Sequence, residues 1–489
     1  MLRLDRWLLQ SLRDRSRRVW LWIALGLVLR LLLIWFPRLT DDDTADYLEL
    51  GRNLLHHGIY GLGSGDDIAP TLFRLPAYPI ILAIFESLFA RLWPASWITA
   101  LLVAQALTDI VSGLLIASFV RRFLSPRAGE IALALAMLCP FTAAHAGIAL
   151  TESFSVFALA LGIYAAGCAL AEISEGKRAV PMLLLAGLAS AFAMLLRPDG
   201  CLEFAALAFG ILWYGSRARS IRRGISSAAI YCCATLALML PWVARNWVQF
   251  HVFQPLAPRY LNDPGERTNT GFYLWLRTWS IEFSTTADVF WNVGSEPIDE
   301  DNIPARAFDS SDQRTRTLAL IHEYNQNHSI SADLDNRFAA LAHERYRNHP
   351  VQTLVVVPAL RVADMLLRPR TLEFNLDLYW WDWGSHPSET VLAILLGLIN
   401  LFYVAAALWG FMRDRVPFAW MLGGYLIMRC LLLATMENPE PRYTIQMFPI
   451  LIVAAAAAFA GKNSTAPLRA TLSHRAMRQS SSGTLPYAH

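Results

Sequence analysis

Lysine is almost missing from this 489-residue chain: apart from Lys177 and Lys462, every basic side chain is Arg or His. Charge of either sign is sparse, at 17% of residues against 55% hydrophobic, and mean hydropathy is +0.36. That balance excludes an ordinary soluble domain of this size and leaves a polytopic membrane protein. Cysteine is scarce as well. All six cysteines, at 139, 168, 201, 232, 233 and 430, lie in or beside apolar segments and none falls between 249 and 388, which argues against a disulfide framework and against a Cys-ligated zinc site. No Gly-rich phosphate loop follows a strand and alternating strand patterns are absent, so a soluble nucleotide-sugar enzyme is excluded and no nucleic-acid partner is expected. No internal repeat is visible, which speaks against a transporter built from duplicated halves.

What is present is a series of apolar runs. A span needs about 20 apolar residues to cross about 30 Å of hydrocarbon. Val19 to Phe36, Ile98 to Val120, Glu130 to Ala146, Leu150 to Ala171, Val180 to Leu196, Cys201 to Tyr214, Ile225 to Val248, Glu389 to Met412, Pro417 to Thr435 and Tyr443 to Ala460 read as spans, some of them short, giving ten expected crossings. Numbered so, the basic loops Arg121-Arg122 with Arg127, Lys177-Arg178, Arg217 to Arg223 and Arg413 with Arg415 all fall on one side, joined by the tail with Arg469, Arg475 and Arg478. The positive-inside rule makes that side cytoplasmic. Arg3, Arg6, Arg13, Arg15, Arg17 and Arg18 precede the first run, and Pro37-Arg38-Leu39 is no small-residue cleavage site, so an uncleaved anchor in a bacterial inner membrane is expected. Two shorter runs, 76–93 and 351–367, carry charge on their far halves and are expected to lie at the interface on the exported side. The organisation expected is a membrane core 1–248 with a first exported loop 37–97, an exported cap 249–388, C-terminal spans 389–461 and a cytoplasmic tail 462–489. Inside the spans, Arg30, Gln105, Asp109 and Glu203 need partners in lipid, and a buried structural network accounts for them better than a transport path.

The first exported loop opens on Asp41-Asp42-Asp43-Thr44-Ala45-Asp46-Tyr47, four carboxylates at the mouth of the first span and at the start of a helical pattern. Negative charge is favoured at a helix N-terminus. Clustered acids repel, so they are solvated as a simple cap, hold a cation, or have their pKa values pushed apart for proton transfer. Glu152, which begins the fourth span, is expected on the same side. Paired carboxylates suit glycosyl transfer, one acting as base towards an acceptor. A leaving phosphate needs cations, and Arg74, Arg197 and Arg442 are offered there, Arg being suited to two-pronged phosphate contact. The alternative for each Arg is an interfacial anchor. Asp41-Asp42-Asp43 also fits a DxD pattern, but an exported loop meets no nucleotide sugar, so the donor has to be carried by a lipid.

These landmarks resemble a known clan. Asp43-x-x-x-Tyr47, a helix ending at His57-Gly58-Ile59-Tyr60, and Arg74-Leu75-Pro76-Ala77-Tyr78-Pro79 resemble the first exported loop of GT-C-fold glycosyltransferases, the clan of protein O-mannosyltransferases and lipid A aminoarabinose transferases. Leu150-Thr151-Glu152, Arg197-Pro198 and Glu440-Pro441-Arg442-Tyr443 are similar to its later landmarks, in order. The likeness covers residues 19–248, more loosely 389–460, and not 249–388. It implies an all-α GT-C bundle with interfacial helices and a small cap, and transfer of a sugar from a polyprenyl-monophosphate donor to a lipid, glycan or protein acceptor. It further implies Asp43 as an inverting base, with Asp46 and Glu152 as acidic partners. Arg442 and Tyr443 are implied at the donor phosphate beside Arg74 and Arg197, and Asp43 and Glu152 as ligands if a divalent cation takes part. Mannosyltransferases have Asp-Glu where this chain has Asp43-Thr44, and Pro-Pro where it has Leu75-Pro76. A lipid-linked-glycan flippase or glycan polymerase is the alternative function, and a non-enzymatic assembly scaffold a third.

Overall fold

The computed structural model describes residues 17–35, 42–92, 96–260 and 262–460. The basic stretch before Arg17, Pro37-Arg38-Leu39, Asp41 and the tail from 461 lie outside the described residues, as does the side chain of Asp42. Among the described residues the chain is all-α apart from one two-residue ladder. In order come α1 (Arg17–Trp35), α2 (Asp42–His57), β1 (Gly61–Leu62) paired antiparallel with β2 (Ala69–Pro70), α3 (Ala77–Phe89), α4 (Trp97–Phe123), α5 (Pro126–Met137), α6 (Pro140–Ala146), α7 (Glu152–Ser174), α8 (Val180–Leu196), α9 (Gly200–Ala218) and α10 (Ile221–Phe250). Then follow α11 (Thr270–Arg277), α12 (Phe283–Trp291), α13 (Ser311–Asn327), α14 (Ala332–Asn348), α15 (Val357–Leu367), α16 (Pro387–Met412), α17 (Ala419–Ala434) and α18 (Phe448–Ala458).

Among the described residues six helical stretches, α1, α4, α7, α10, α16 and Pro441–Ala458, are long and apolar enough to cross a membrane, or eight if each of two bent pairs counts as one span. The chain is a multi-pass membrane protein. One bent pair is α5 with α6, where a single span was expected over 130–146. The helix breaks at Leu138-Cys139 and turns by 50°, because Pro140 has no N–H to give and its ring clashes with the preceding turn. The other joins α14 to 352–374 with a 105° bend. The expected ten also counted α8 and α17, which are apolar but shorter than 18 residues, and α9. At 13 residues α3 is about 20 Å long, too short to cross alone.

The chain divides into two compact units, one of residues 1–264, 403–425 and 446–489, the other of 265–402 and 426–445. In the first, α7 and α18 are the most enclosed of the apolar helices and α1 and α10 mostly face outwards. The alanine-rich α18 allows close packing: a Cβ on Gly410 would stand 1.9 Å from the Ala454 carbonyl oxygen, the kind of approach only small residues permit. Arg30 is fully buried yet satisfied, donating to Asp109 at 2.6 and 2.9 Å and to the Met137, Ala136 and Gly26 carbonyls. It ties α1 to α4 and α5. Glu203 accepts from Ser190 Oγ at 3.0 Å, and the Tyr231 hydroxyl donates to Ser190 at 2.7 Å, linking α8, α9 and α10.

The second unit has its own aromatic core, in which Phe272, Trp275 and Trp279 pack with Ile321, Tyr324 and Phe338. Phe272, Trp275 and Leu276, at i, i+3 and i+4, give α11 one apolar face, and Trp279 follows just past its end. Its first turn is capped from α14, where the Asp335 carboxylate accepts from Gly271 N and Phe272 N at 3.0 and 2.9 Å. Ser310 and Ser331 cap α13 and α14.

Candidate active site

The α2 helix begins inside the acidic stretch, so its first turn carries carboxylates where the helix dipole favours them. Its inner face, Tyr47 and Leu50, is buried. Asp43 and Asp46, three residues apart, share a face and meet one guanidinium: Arg74 Nη2 donates to Asp43 Oδ1 at 2.5 Å and Asp46 Oδ2 at 2.8 Å. The Arg74 side chain is 11% exposed, against 24% and 33% for the two acids. Burial works against its charge, but Asp43, Tyr47 and Asp46 outweigh that and hold its proton more tightly than usual. Arg74 reaches the pair through the hairpin that closes the loop before α3. Asn53 Nδ2 holds the Gly61 and Gly63 carbonyls, and the Tyr60 hydroxyl donates to the Arg74 carbonyl at 3.0 Å.

A second acid–guanidinium group sits where α7 starts and α8 ends. Glu152 is the first residue of α7 and is buried. Arg197 Nη1 donates to its Oε1 at 2.8 Å and to Thr151 Oγ1 at 3.3 Å, while Nε reaches both Asp199 oxygens at 3.3 Å. The backbone of Arg197 is extended, φ −147° and ψ 142°, as a residue before proline prefers, and this turns its side chain off the helix axis.

Tyr47 lies within reach of both groups. Burial pushes its phenol up to about 12, with Arg74 and Arg197 pulling it down and Asp43 and Glu152 adding to the rise. The surrounding scaffold is aromatic: Tyr47 meets Tyr78 edge-on with centroids 5.1 Å apart, Tyr78 meets Phe154 at 6.2 Å, and Phe154 meets Phe192 at 6.4 Å, linking α2, α3, α7 and α8. Thr44 Oγ1 donates to the Ala149 carbonyl, Tyr78 to Gln105 Oε1, and Gln105 to the Ile148 carbonyl. These bonds dock α2 and α3 against the turn that carries Glu152.

The structure thus brings Asp43, Asp46 and Arg74 into direct contact, does the same for Glu152 and Arg197, and sets both groups around Tyr47. Arg442 and Tyr443 belong to the other unit. There the Arg442 guanidinium pairs with Glu440 and lies 5.6 Å from the Tyr443 ring centroid. The backbone of this turn is clamped by two buried arginines, Arg429 on the Tyr443 carbonyl at 3.0 Å and Arg370 on the Pro441 carbonyl at 3.0 Å. In the sequence Tyr47 stands only as a spacing mark, and the one sign of Asp199 is the pattern Arg197-Pro198-Asp199, which places an acid close to the guanidinium. For a divalent cation, Asp43 and Glu152 do not form a ligand set: each is held by an Arg, and among the described residues no three His, Cys, Asp or Glu side chains gather as metal ligands.

No protein-family model and no curated protein matches the sequence. Solved structures do match in fold. The Archaeoglobus fulgidus oligosaccharyltransferase tethered to an acceptor peptide aligns with 93% of this chain at 13% identity and a TM-score of 0.51. The same organism's oligosaccharyltransferase AglB, in complex with an inhibitory peptide and a dolichol-phosphate, aligns with 97% at 11% identity and a TM-score of 0.50. This chain spans about half the length of those neighbours, 50% and 53%. ArnT from Cupriavidus metallidurans bound to undecaprenyl phosphate aligns over 96% of this chain and 81% of its own, at 15% identity and a TM-score of 0.40, too loose to support a conclusion. At such identities the likeness is one of architecture, and the architecture is the GT-C membrane fold of the archaeal oligosaccharyltransferase.

Proposed function

We propose that this chain is an inner-membrane glycosyltransferase that moves a sugar from a polyprenyl-monophosphate carrier to a lipid, glycan or protein acceptor on the exported face. The observation that carries this is the pair of acid–guanidinium groups around Tyr47, on a fold shared with an enzyme that has been solved holding a dolichol-phosphate and, separately, an acceptor peptide. Ten spans with both termini cytoplasmic, a membrane core over 1–248 and an acceptor-facing cap over 249–388 complete the assignment.

In the reaction the acceptor O–H or N–H attacks the anomeric carbon, the bond from that carbon to the phosphate oxygen breaks, and the phosphate leaves on its carrier with the electron pair. The acceptor proton goes to Asp43, and a single displacement inverts the sugar. A carboxylate paired with a guanidinium is a poor base, because accepting a proton forfeits the ion pair. Arg74 therefore has to shift from Asp43 for the step to proceed, and the donor phosphate is the anion suited to draw it away. Asp46 keeps a hold on Arg74 at 2.8 Å. Tyr47, with its proton held up to about pH 12, stays neutral and does not compete as base. Arg197, on Glu152 and Asp199, and Arg442, beside Tyr443, are assigned to the phosphate as well. The charges inside the spans, Arg30, Asp109 and Glu203, are engaged in helix packing, which favours transfer over flipping. The test is sugar transfer from a polyprenyl-phosphate donor by membranes carrying wild type or Asp43→Asn at matched protein level. Donor translocation without transfer in the wild type would replace the transferase assignment with a flippase.

A further inference from the structure

Arg245, near the end of α10, is not part of either acid–guanidinium group, yet its fork closes on the loop that delivers Arg74. Nη2 donates to the Tyr60 carbonyl and Nη1 to the Thr71 carbonyl, both at 2.8 Å. Those residues flank the hairpin on its open side, next to the Gly61↔Pro70 pair, and Thr71 N itself donates to the Tyr60 carbonyl at 3.2 Å. The guanidinium is boxed by three rings, with centroids 5.2 Å away for Trp242 and Phe250 and 5.4 Å for Tyr60.

From the clamped residues two short links run to Arg74. The Tyr60 hydroxyl donates to the Arg74 carbonyl, and Thr71 Oγ1 accepts from Phe73 N at 3.0 Å, fixing the turn between the hairpin and Arg74. Leu72 N is held in addition by Asp263 Oδ1 at 2.8 Å. We infer that Arg245 is a positioning residue for sugar transfer: by clamping the Tyr60 and Thr71 carbonyls it sets where Arg74 stands relative to Asp43 and Asp46, and hence where Arg74 can meet the donor phosphate. This rests on the function proposed above for Arg74. A two-pronged donor suits the task, since it fixes two carbonyls at once where a lysine ammonium offers a point charge.

A double-mutant cycle on kcat/KM for transfer from the polyprenyl-phosphate donor reads this out, because residues that act through one another are not additive. Arg245→Gln is expected to cost about tenfold with Arg74 present and less than about threefold in an Arg74→Gln background. Equal fold losses in both backgrounds would mean that Arg245 merely supports the fold and would overturn the inference. If Arg74→Gln alone costs nothing, the assignment of Arg74 to the donor fails instead. Amide hydrogen exchange in detergent then judges Arg245 without reference to activity. Arg245→Gln is expected to speed exchange at 60–74 and leave α7 and α8 unchanged, and unchanged protection at 60–74 sinks the clamp. Should Arg245→Gln fail to insert, Arg245→Lys, which keeps the charge among the three rings, carries both measurements with a smaller expected effect of the same pattern.

Discussion

Replacing Asp43 by Asn tests the proposed chemistry most directly, because the structure separates its effect on rate from its effect on folding. The amide keeps the size and an acceptor oxygen but cannot take the acceptor's proton. Arg74 is not orphaned, since its 2.8 Å bond to Asp46 survives. The structural loss is therefore one charge-assisted hydrogen bond at a partly exposed site, about 1.5–3 kcal/mol at the upper end. A multi-pass bundle anchored elsewhere by Arg30 and α18 should tolerate that and insert normally. The chemical loss is larger. Removing a general base typically costs about a hundredfold to ten-thousandfold in rate, or about 2.7–5.5 kcal/mol of barrier. Asp43→Asn is thus expected to express at wild-type level, bind donor and transfer almost no sugar. Asp46→Asn, which keeps the base but loosens Arg74, is expected to fall between it and wild type, and Asp41→Asn to match wild type. Transfer is measured in membranes at matched protein level. Full activity in Asp43→Asn, or equal losses at Asp41, Asp43 and Asp46, would show that the stretch is a solvated acidic cap.

Tyr47→Phe is expected to leave the pH profile of transfer unchanged below pH 10. It should also improve alkaline stability. A phenol whose proton is held up to about 12 in the folded chain but released near 10 when unfolded makes no difference at neutral pH and costs about 1.4 kcal/mol per pH unit between those values. Melting curves at pH 8 and 11 that shift equally in both proteins would count against it. Arg30→Leu, which leaves Asp109 buried without its partner, is expected to lower the melting temperature far more than the double change Arg30→Leu with Asp109→Leu; identical melts would mean the pair is not coupled. The orientation is checked by cysteine labelling from outside in a Cys-free background, Ser310→Cys expected to react and Ser220→Cys not, with the reverse pattern inverting the topology.

Much of this was legible in the sequence because it depends on local spacing. Asp43 and Asp46 stand three residues apart, so a helix puts them on one face, and the apolar pattern from Tyr47 onwards announces that helix. Arg197 before Pro198 and Glu152 at the head of an apolar run could be named for the same reason. Which acid pairs with which guanidinium could not. Arg74 meets Asp43 across 31 residues through a hairpin only two residues deep, whose strands carry no alternation to read, and Tyr47 takes its central position from tertiary packing. The break in the span over 130–146 was available from Pro140 yet outweighed by the unbroken apolar run, since hydropathy measures transfer to lipid and is blind to a missing N–H. Arg245 illustrates the limit best, because a lone Arg ending an apolar helix looks like an interfacial anchor until its fork is seen on two carbonyls.

Charge at the site adds a constraint on the donor. Among the described residues, four carboxylates, Asp43, Asp46, Glu152 and Asp199, pair with two guanidiniums, Arg74 and Arg197, a formal excess of two negative charges. A phosphate entering there adds to that excess, and like charges a few ångströms apart oppose each other by about 4 kcal/mol per pair at an effective dielectric constant near 20. Binding therefore demands further positive charge. Arg442 is the further cation that the resemblance implies at the donor phosphate, its turn held by Arg370 and Arg429. It follows that Arg442→Lys should weaken donor binding, because a point charge replaces a two-pronged donor, and that Arg442→Ala should weaken it more. Donor binding unchanged in both variants would remove Arg442 from the site.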